Sequence, residues 1–164
     1  KNMLPELETK VIVGNIGTHE AAVDVATKLE GIAGIRVGIG SGSICTTSEV
    51  TKAGAPTLFA TAQVADALAE YGLNAPIIAD GGIRSPGDAA LALSVGASTV
   101  MIGNLFARCK ESPGSLVSIG GRYYKQYRGM GSISALEKRF ALDRYSHPAK
   151  GIAEGVEGWV PYKG

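Results

Sequence analysis

One short segment combines residue types that could do covalent chemistry on a phosphorylated ligand. Residues 40–46 read GSGSICT and place Cys45, one of two cysteines, among glycines and hydroxyl side chains after an apolar stretch. Gly40 and Gly42 allow backbone with positive φ and close approach to a ligand. Ser43 adds a hydroxyl that can hold a phosphate, and Cys45 adds a nucleophile whose thiolate nearby N–H groups can stabilise. The segment predicts a phosphate cradle beside a reactive thiol.

The composition restricts the kinds of protein and partner. A chain of 164 residues, 45% hydrophobic and with a net charge of +1, is typical of a globular protein with one core. The near-neutral charge gives no case for a nucleic acid or a membrane surface as partner. Two cysteines and two histidines are too few for a disulfide framework or a zinc site. Without a signal peptide, a lipidation motif or an 18-residue apolar run, the expected location is cytoplasmic.

The elements that must position the cysteine segment are strands and helices in alternation. Short β-branched runs predict buried parallel strands at residues 10–14, 35–39, 76–79 and 99–102. Helical patterns cover residues 21–29 behind Thr18, residues 57–71, and residues 89–95 behind Ser85 and Pro86. This alternation predicts a parallel α/β fold.

Glycine marks the ends of these strands. Of the 164 residues 23 are glycine, about twice the usual ~7%. The predicted strands are followed by Gly14-Asn15, residues 40–47, residues 80–82 and Gly103-Asn104. One such end is most often a plain turn, but four in succession predict an active-site face at the carboxyl ends of the strands.

The pattern changes near residue 110. Residues 111–121 are predicted to form a loop, and the remaining sequence, with few long apolar stretches, is typical of a mobile functional insertion. We therefore expect two regions. Residues 1–109 would hold the strands, the phosphate cradle and the cysteine loop, and residues 110–164 would form a finger or flap.

Eight strings of residues, in order, resemble the inosine-5′-monophosphate (IMP) dehydrogenase family over nearly the whole chain. They are Gly14-Asn15, VGIGSGSICTT (37–47), IIADGGIRSPGD (77–88), GASTVMIG (96–103), ESPG (111–114), YRGMGS (127–132), DRY (143–145) and EGVEGWVPYKG (154–164). The resemblance implies the C-terminal half of a (β/α)₈ barrel, with four parallel strands and a mobile catalytic flap. It also implies oxidation of IMP to xanthosine monophosphate by NAD, through a covalent bond between cysteine and the purine.

The resemblance assigns a role to each matched residue. It implies Cys45 as nucleophile, Thr47 as a holder of the attacking water, and Arg144 and Tyr145 on the flap as the pair that activates this water. The implied substrate contacts are Ser43, Gly82, Gly103, Asn104 and Tyr127 to the phosphate, Asp80 to the ribose, and Met130, Gly131 and Glu154 to the base. The implied cofactor contacts are Asn15 and Thr46, and the implied carbonyl ligands of a potassium ion are Gly40, Gly42 and Cys45. A homotetramer is implied as well.

Structural readings of the same residues remain open. Cys45 could be a small buried apolar residue, Asp80 a helix cap, Arg144 a surface cation and Tyr145 a packing aromatic. Cys109 lacks framing by glycines or hydroxyls, and we interpret it as structural.

The chain also departs from the family pattern. Asn104 stands where serine is usual, and its amide can still donate to phosphate. Ser41 stands where many relatives have proline, and four further strands would be needed to close a barrel. Half a parallel barrel would expose two sheet edges, so an isolated monomer is expected to be unstable.

Two other functions stay open. A guanosine monophosphate reductase using NADPH would share the barrel, the cradle and the cysteine. The Arg144-Tyr145 pair and the string GMGS (129–132) favour the dehydrogenase. A non-catalytic nucleotide-binding or assembly module is the second alternative, if these residues were the whole protein.

Overall fold

The computed structural model describes residues 8–137 and 155–164. In chain order the elements are β1 (Val11–Ile16), α1 (His19–Lys28), β2 (Ile32–Val37), α2 (Thr47–Thr51), α3 (Thr57–Glu70), β3 (Ile77–Asp80), α4 (Pro86–Ser94), β4 (Thr99–Met101), α5 (Asn104–Ala107), β5 (Leu116–Ile119), β6 (Arg122–Arg128), α6 (Ile133–Glu137) and β7 (Glu157–Pro161). In these two ranges, no helix has the length and apolar character needed to cross a membrane.

The described residues form two compact units. The first contains residues 8–41 and 54–101, and the second contains residues 42–53, 102–137 and 155–164. The short segment 42–53 therefore belongs with the later part of the chain. The division between residues 109 and 110 stays a prediction.

The first unit contains a four-stranded parallel sheet in the order β1-β2-β3-β4, which confirms the predicted α/β fold with four parallel strands. Two predicted caps are also confirmed. The Thr18 hydroxyl accepts from the Ala21 N–H at 3.2 Å, and the Ser85 hydroxyl accepts from the Asp88 N–H at 3.2 Å. Strand β2 begins at Ile32 rather than at residue 35, because its parallel pairing with β1 starts there.

The core of this unit lies between the sheet and α3. Buried side chains alternate along the central strands: Ile35 and Val37 on β2, Ile77 and Ala79 on β3. Helix α3, which contacts β2 and β3, buries Ala60, Val64 and Ala67 at helical spacing. The alternate residues of the strands, Arg36, Ile78 and Asp80 among them, therefore point to the opposite face.

The opposite face of the sheet is more exposed to solvent than we expect for a parallel sheet that is buried on both faces. On the outer strands, Ile12 of β1 is 54% exposed and Met101 of β4 is 39% exposed. Exposed apolar side chains at both outer strands are typical of a sheet that continues or packs further.

The second unit contains a three-stranded antiparallel sheet in the order β5-β6-β7. The prediction of a loop over residues 111–121 is therefore wrong for Leu116–Ile119, which pairs with β6. The turn between β5 and β6 is Gly120-Gly121, with φ of 58° and 78°, a conformation that glycine adopts readily and that matches the twist of a hairpin.

A buried lysine holds the segment before this hairpin. Lys125 on β6 is 6% exposed, and its ammonium donates to the carbonyls of Lys110 and Ser112. These two hydrogen bonds supply the partners that a buried charge requires. The region after residue 110 is thus ordered by backbone pairing and by one polar anchor, rather than forming an irregular insertion, as far as the structure describes it.

Candidate functional site

In the first unit, three donors converge on one oxygen of Asp80. Its Oδ2 accepts from Arg36 Nη2 at 2.8 Å, from Asn15 Nδ2 at 2.9 Å and from Arg36 Nε at 3.0 Å. No donor of the described residues reaches Oδ1, and the side chain keeps 20% exposure. The carboxylate is therefore fixed through one oxygen, while the other can accept a hydrogen bond from a ligand.

The sheet register creates this cluster. Arg36 pairs with Gly14 on one side and with Ile78 on the other, so Arg36 and Asp80 occupy the same face two positions apart. A Cβ at position 14 would lie closer than 3.0 Å to the Arg36 carbonyl oxygen, so glycine is required there. Asp80 is thus part of an ion-pair network and not a helix cap.

The backbone of Asp80 is held by two hydroxyls that the sequence reasoning did not connect with it. Its carbonyl accepts from Thr57 Oγ1 at 3.2 Å and from Ser41 Oγ at 3.3 Å, and the two hydroxyls lie 2.5 Å apart. Gly82 follows with a φ of 76°, as a tight turn requires. Ser41 differs from the proline of many relatives, and its long-range contacts with Thr57 and Asp80 leave no signal in the sequence.

In the second unit, the reactive thiol candidate lies on a tight turn. The Cys45 N–H donates to the Gly42 carbonyl at 3.0 Å, and the Cys45 thiol donates to Thr47 Oγ1 at 3.2 Å. Both side chains are half-buried. Thr46 is the residue before α2, and its hydroxyl makes no capping hydrogen bond there. The thiol accordingly has a hydroxyl neighbour, and Cys45 is only partly buried.

A second segment supports this turn through its backbone. Cys45 pairs with Gly155 in an antiparallel bridge, and the Val156 N–H donates to the Ile44 carbonyl at 3.0 Å. The Gly129 N–H in turn donates to the Val156 carbonyl at 3.0 Å. A Cβ on Gly129 would lie 3.1 Å from the Ile44 oxygen, so only a small residue allows this packing. The sequence reasoning missed Gly155 and Val156, although both lie in one of the matching strings.

Four of the predicted phosphate contacts come together in the same unit. Asn104 Nδ2 donates to Ser43 Oγ at 3.4 Å, a long hydrogen bond. A Cβ on Gly103 would lie closer than 3.0 Å to Tyr127 Oη, so the Tyr127 hydroxyl lies directly over the Gly103 backbone. Arg108, which the sequence reasoning did not single out, donates to Asn104 Oδ1 from Nη2 at 2.6 Å and from Nε at 2.9 Å.

A cleft of about 850 Å³ adjoins Gly103 and Tyr127. Its other walls come from α5, from the Lys125-anchored segment and from β6: Phe106, Ala107, Cys109, Glu111, Ser112, Pro113, Gly114, Ser115, Gln126 and Arg128. Cys109 is half-buried, and its thiol points to the Leu105 carbonyl at 3.7 Å. This is consistent with a structural role for Cys109.

The remaining predicted site residues have varied surroundings. The side chain of Met130 is 54% exposed. Gly131 is buried, and its carbonyl carbon would lie 3.2 Å from a Cβ on Gly155. Gly40, in the first unit, has a φ of 73°. The predicted residues Arg144, Tyr145 and Glu154 lie outside the described residues.

The site residues therefore form two groups, each within one unit. Asn15, Gly40, Asp80 and Gly82 belong to the first unit; Gly42, Ser43, Cys45, Thr46, Thr47, Gly103, Asn104, Tyr127, Met130 and Gly131 belong to the second. The first group offers a fixed carboxylate, and the second offers a thiol, hydroxyls and an amide. A fixed carboxylate can accept from the hydroxyls of a polyol, and hydroxyls, an amide and a thiol can hold a phosphate and attack an electrophilic carbon.

Comparison with known proteins identifies the family of the chain. The family model of the IMP dehydrogenase / GMP reductase domain matches residues 1–164. Inosine-5′-monophosphate dehydrogenases from Korarchaeum cryptofilum and Methanocaldococcus jannaschii are 58% and 51% identical over the whole chain, which covers 34% of each relative. The enzyme of Halobacterium salinarum is 48% identical over 96% of the chain and 31% of its own length. The chain thus spans about a third of these relatives. It belongs to the IMP dehydrogenase / GMP reductase family.

Proposed function

We propose that the natural full-length protein oxidises IMP to xanthosine monophosphate with NAD⁺, through a covalent intermediate on Cys45. The proposal is supported by family membership and by relatives that carry this enzyme name. Within the chain, the observation that carries it is the half-buried Cys45 thiol, 3.2 Å from the Thr47 hydroxyl on a turn that backbone bonds hold in place.

The chemistry requires a nucleophile because C2 of the purine ring is not itself a hydride donor. Addition of the Cys45 thiolate forms an S–C2 bond and makes C2 tetrahedral, after which a hydride can leave from C2. NAD⁺, when bound, supplies the hydride acceptor. Water then adds to C2 and the S–C2 bond breaks, which returns the thiol. The sum is IMP, NAD⁺ and water giving xanthosine monophosphate, NADH and a proton.

Thr47 is proposed to hold the attacking water, since its hydroxyl lies beside the sulfur that leaves C2. Activation of this water is proposed for Arg144 and Tyr145. A base is needed at this step because neutral water attacks slowly, and proton removal typically contributes 10²- to 10⁴-fold.

The proposed nucleotide contacts match the chemistry of the ribose, the phosphate and the base. Asp80, with Oδ2 saturated, would accept from the ribose hydroxyls through Oδ1. The phosphate contacts are proposed at Ser43, Gly82, Gly103, Asn104 and Tyr127, and the base contacts at Met130, Gly131 and Glu154.

The proposed cofactor residues fit their ligands in donor type. Asn15 uses its amide donors on Asp80 and on the Gly38 carbonyl at 2.6 Å, so its position is fixed for a neighbouring dinucleotide. Thr46 has a hydroxyl that caps no helix. For potassium, the proposed ligands are the carbonyl oxygens of Gly40, Gly42 and Cys45, which are hard donors. The Gly42 oxygen accepts the Cys45 N–H with one lone pair, and its second lone pair can bind a cation.

The larger assembly is part of the proposal. The four parallel strands would be one half of a (β/α)₈ barrel, which accounts for the exposed Ile12 and Met101 on the outer strands. A homotetramer in the cytoplasm is the proposed state of the enzyme.

The test is incubation of the natural full-length protein with IMP and NAD⁺. We expect NADH to form. We also expect mass spectrometry to find the peptide that contains Cys45 heavier by the mass of the bound nucleotide. Cys45→Ala should abolish both, and Cys109→Ser should keep both. A Cys45→Ala variant that still forms NADH would overturn the proposal.

Two alternatives are separated by the same assay. The family includes GMP reductases, which share the cysteine chemistry. NADPH oxidation with guanosine monophosphate, and no NADH from IMP, would indicate the reductase. Nucleotide binding without turnover and without an adduct would indicate a binding or assembly module.

A further inference from the structure

Arg108 makes an unusual contact for a cation, since two of its nitrogens, Nε and Nη2, donate to one neutral amide oxygen. Nη2 and Nε lie 2.6 Å and 2.9 Å from Asn104 Oδ1. The ion pairs of the described residues involve His19, Lys28 and Arg36, and Arg108 takes part in none of them. Its positive charge is therefore directed at Asn104 and is not neutralised by a carboxylate in this part of the chain.

The contact determines which way the Asn104 amide faces. A guanidinium has donors only, so the amide must turn its oxygen toward Arg108 and its NH₂ group away from it. That NH₂ group faces Ser43 Oγ at 3.4 Å, near the upper limit for a hydrogen bond. A stronger acceptor, such as a phosphate oxygen, would compete well for these protons.

The backbone of Arg108 is also fixed on both sides. Its N–H donates to the Leu105 carbonyl at 3.3 Å, and its carbonyl accepts from the Lys163 N–H at 3.0 Å. The side chain is half-buried, so solvent screens its charge less than on an open surface. A guanidinium held in this way polarises the amide it binds, and hydrogen bonds in series strengthen one another.

We propose that Arg108 is a positioning residue for anion binding: it orients and polarises Asn104, so that the amide NH₂ donates to the phosphate of a nucleoside 5′-monophosphate. Through this relay the site would favour phosphorylated over unphosphorylated nucleosides without a direct contact from Arg108. The inference rests on the proposed function for the identity of the nucleotide. It goes beyond that function in assigning the phosphate preference to Arg108, which the family resemblance did not mark.

The test measures binding of IMP and of inosine by calorimetry in the natural full-length protein. Arg108→Met should raise the Kd of IMP about tenfold, the scale of one charge-assisted hydrogen bond, and leave the Kd of inosine unchanged. In turnover the same variant should raise the KM of IMP with little change in kcat. Arg108→Lys, which keeps a charge and a donor, should recover most of the affinity.

The relay itself is tested by a double-mutant cycle with Asn104→Ala, which removes the amide. If Arg108 acts through Asn104, Arg108→Met should change the Kd of IMP less than about twofold in the Asn104→Ala background. Arg122→Met is the matched control, because Arg122 is an exposed cation of the same unit, and it should leave both Kd values unchanged.

Several outcomes would contradict the proposal. If Arg108→Met weakens IMP binding equally with and without the Asn104 substitution, Arg108 contacts the phosphate directly. If it weakens the binding of inosine as much as that of IMP, the role of Arg108 is structural. If Arg108→Met does not fold, a wild-type Kd of IMP for the Asn104→Ala variant, with an unaltered preference for IMP over inosine, would overturn the proposal. IMP that binds without being oxidised would refute the proposed function and leave this binding test valid.

Discussion

The two units hold their candidate site residues in different ways. In the first, charged and amide side chains fix Asp80 through three contacts of 2.8–3.0 Å, and two hydroxyls hold its backbone carbonyl. In the second, backbone pairing holds the Cys45 turn, and the side chains of Cys45 and Ser43 make longer contacts, of 3.2 Å with Thr47 and 3.4 Å with Asn104. Among the predicted site side chains of this unit, Asn104 is held more tightly, by Arg108 at 2.6 Å and 2.9 Å.

This difference follows from what each residue is proposed to do. A carboxylate that only accepts hydrogen bonds gains from being immobilised before the ligand arrives. A thiol that must form and break a covalent bond needs a fixed backbone and a side chain that can still move. The comparison predicts that substitutions around Asp80 in the first unit lower stability or nucleotide affinity. It predicts that substitutions beside Cys45 in the second unit lower the reaction rate.

The largest effect is expected for Gly38→Ala, which breaks the first unit at the end of β2. Gly38 has a φ of 136°, and a Cβ there would lie closer than 3.0 Å to the Asp80 carbonyl oxygen. We expect a loss of about 4 kcal/mol or more in the free energy of unfolding, measured by urea denaturation.

Gly31→Ala is the matched control for backbone strain. Gly31 has a φ of 77°, and a Cβ there would meet nothing within 4 Å. Its substitution should cost only about 1 kcal/mol, so equal losses in the two variants would contradict the importance of the contact with Asp80.

Arg36→Met should have the next largest effect, on nucleotide affinity. Without the guanidinium, Asp80 loses two of its three donors and presents its free oxygen less accurately. We expect the KM of IMP to rise about 10- to 100-fold, as for loss of hydrogen bonds to a charged group worth ~1.5–3 kcal/mol. Arg36→Lys should recover part of this loss.

The same variant can show whether Arg36 affects affinity through the binding of the ribose hydroxyls by Asp80. A 2′,3′-dideoxy analogue of IMP lacks the hydroxyls that Asp80 is proposed to bind, so Arg36→Met should weaken its binding much less than that of IMP. Equal weakening for the two ligands would indicate that Arg36 only stabilises the fold.

Thr47→Val should have a smaller effect, and on rate rather than affinity. The change removes the hydroxyl that lies 3.2 Å from the Cys45 sulfur, while the side chain keeps its shape. We expect kcat to fall about tenfold, the loss of about one hydrogen bond, with KM nearly unchanged. Thr27→Val, at an exposed hydroxyl on α1, should leave kcat unaltered. A raised KM with normal kcat would argue against the role in hydrolysis.

The smallest effect concerns acid stability of the first unit. The Arg84 N–H and then the Ser85 hydroxyl donate to the exposed Asp88 carboxylate, and these bonds hold its pKa below the ordinary value of 3.8. A lowered folded-state pKa means that the stabilisation is present above the unfolded pKa and is lost as pH falls through the folded value. Asp88→Asn should therefore be less stable than the wild type at pH 7, and the difference should vanish in strong acid. A difference that persists there would contradict this assignment.

Local patterns predicted the first unit well. The β-branched runs and the caps Thr18 and Ser85 depend on neighbouring residues, and the four parallel strands and their helices appear where these signals lie. The hairpin of β5 and β6 was missed because its strands are short and partly exposed, so their alternation was weak. Family resemblance, rather than periodicity, identified most candidate site residues.

The partners of those residues could not be predicted, because they depend on long-range packing. Arg36 and Asp80 are 44 positions apart, and Ser43 and Asn104 are 61 positions apart. No local rule connects such pairs, since their meeting depends on strand register or on the second unit being assembled. Arg108 is four residues from Asn104, but its importance appears only once the direction of the amide is known.

The pairing of Cys45 with Gly155 also has a consequence for biosynthesis. A ribosome releases the cysteine segment long before the residues that support it, and domains fold from their N-terminal parts as the chain emerges. Contacts between such distant positions form late because closing a long loop is entropically costly. A nascent chain therefore carries an unsupported Cys45 turn until Gly155 has been added. The turn is completed only when the segment around Gly155 has left the exit tunnel.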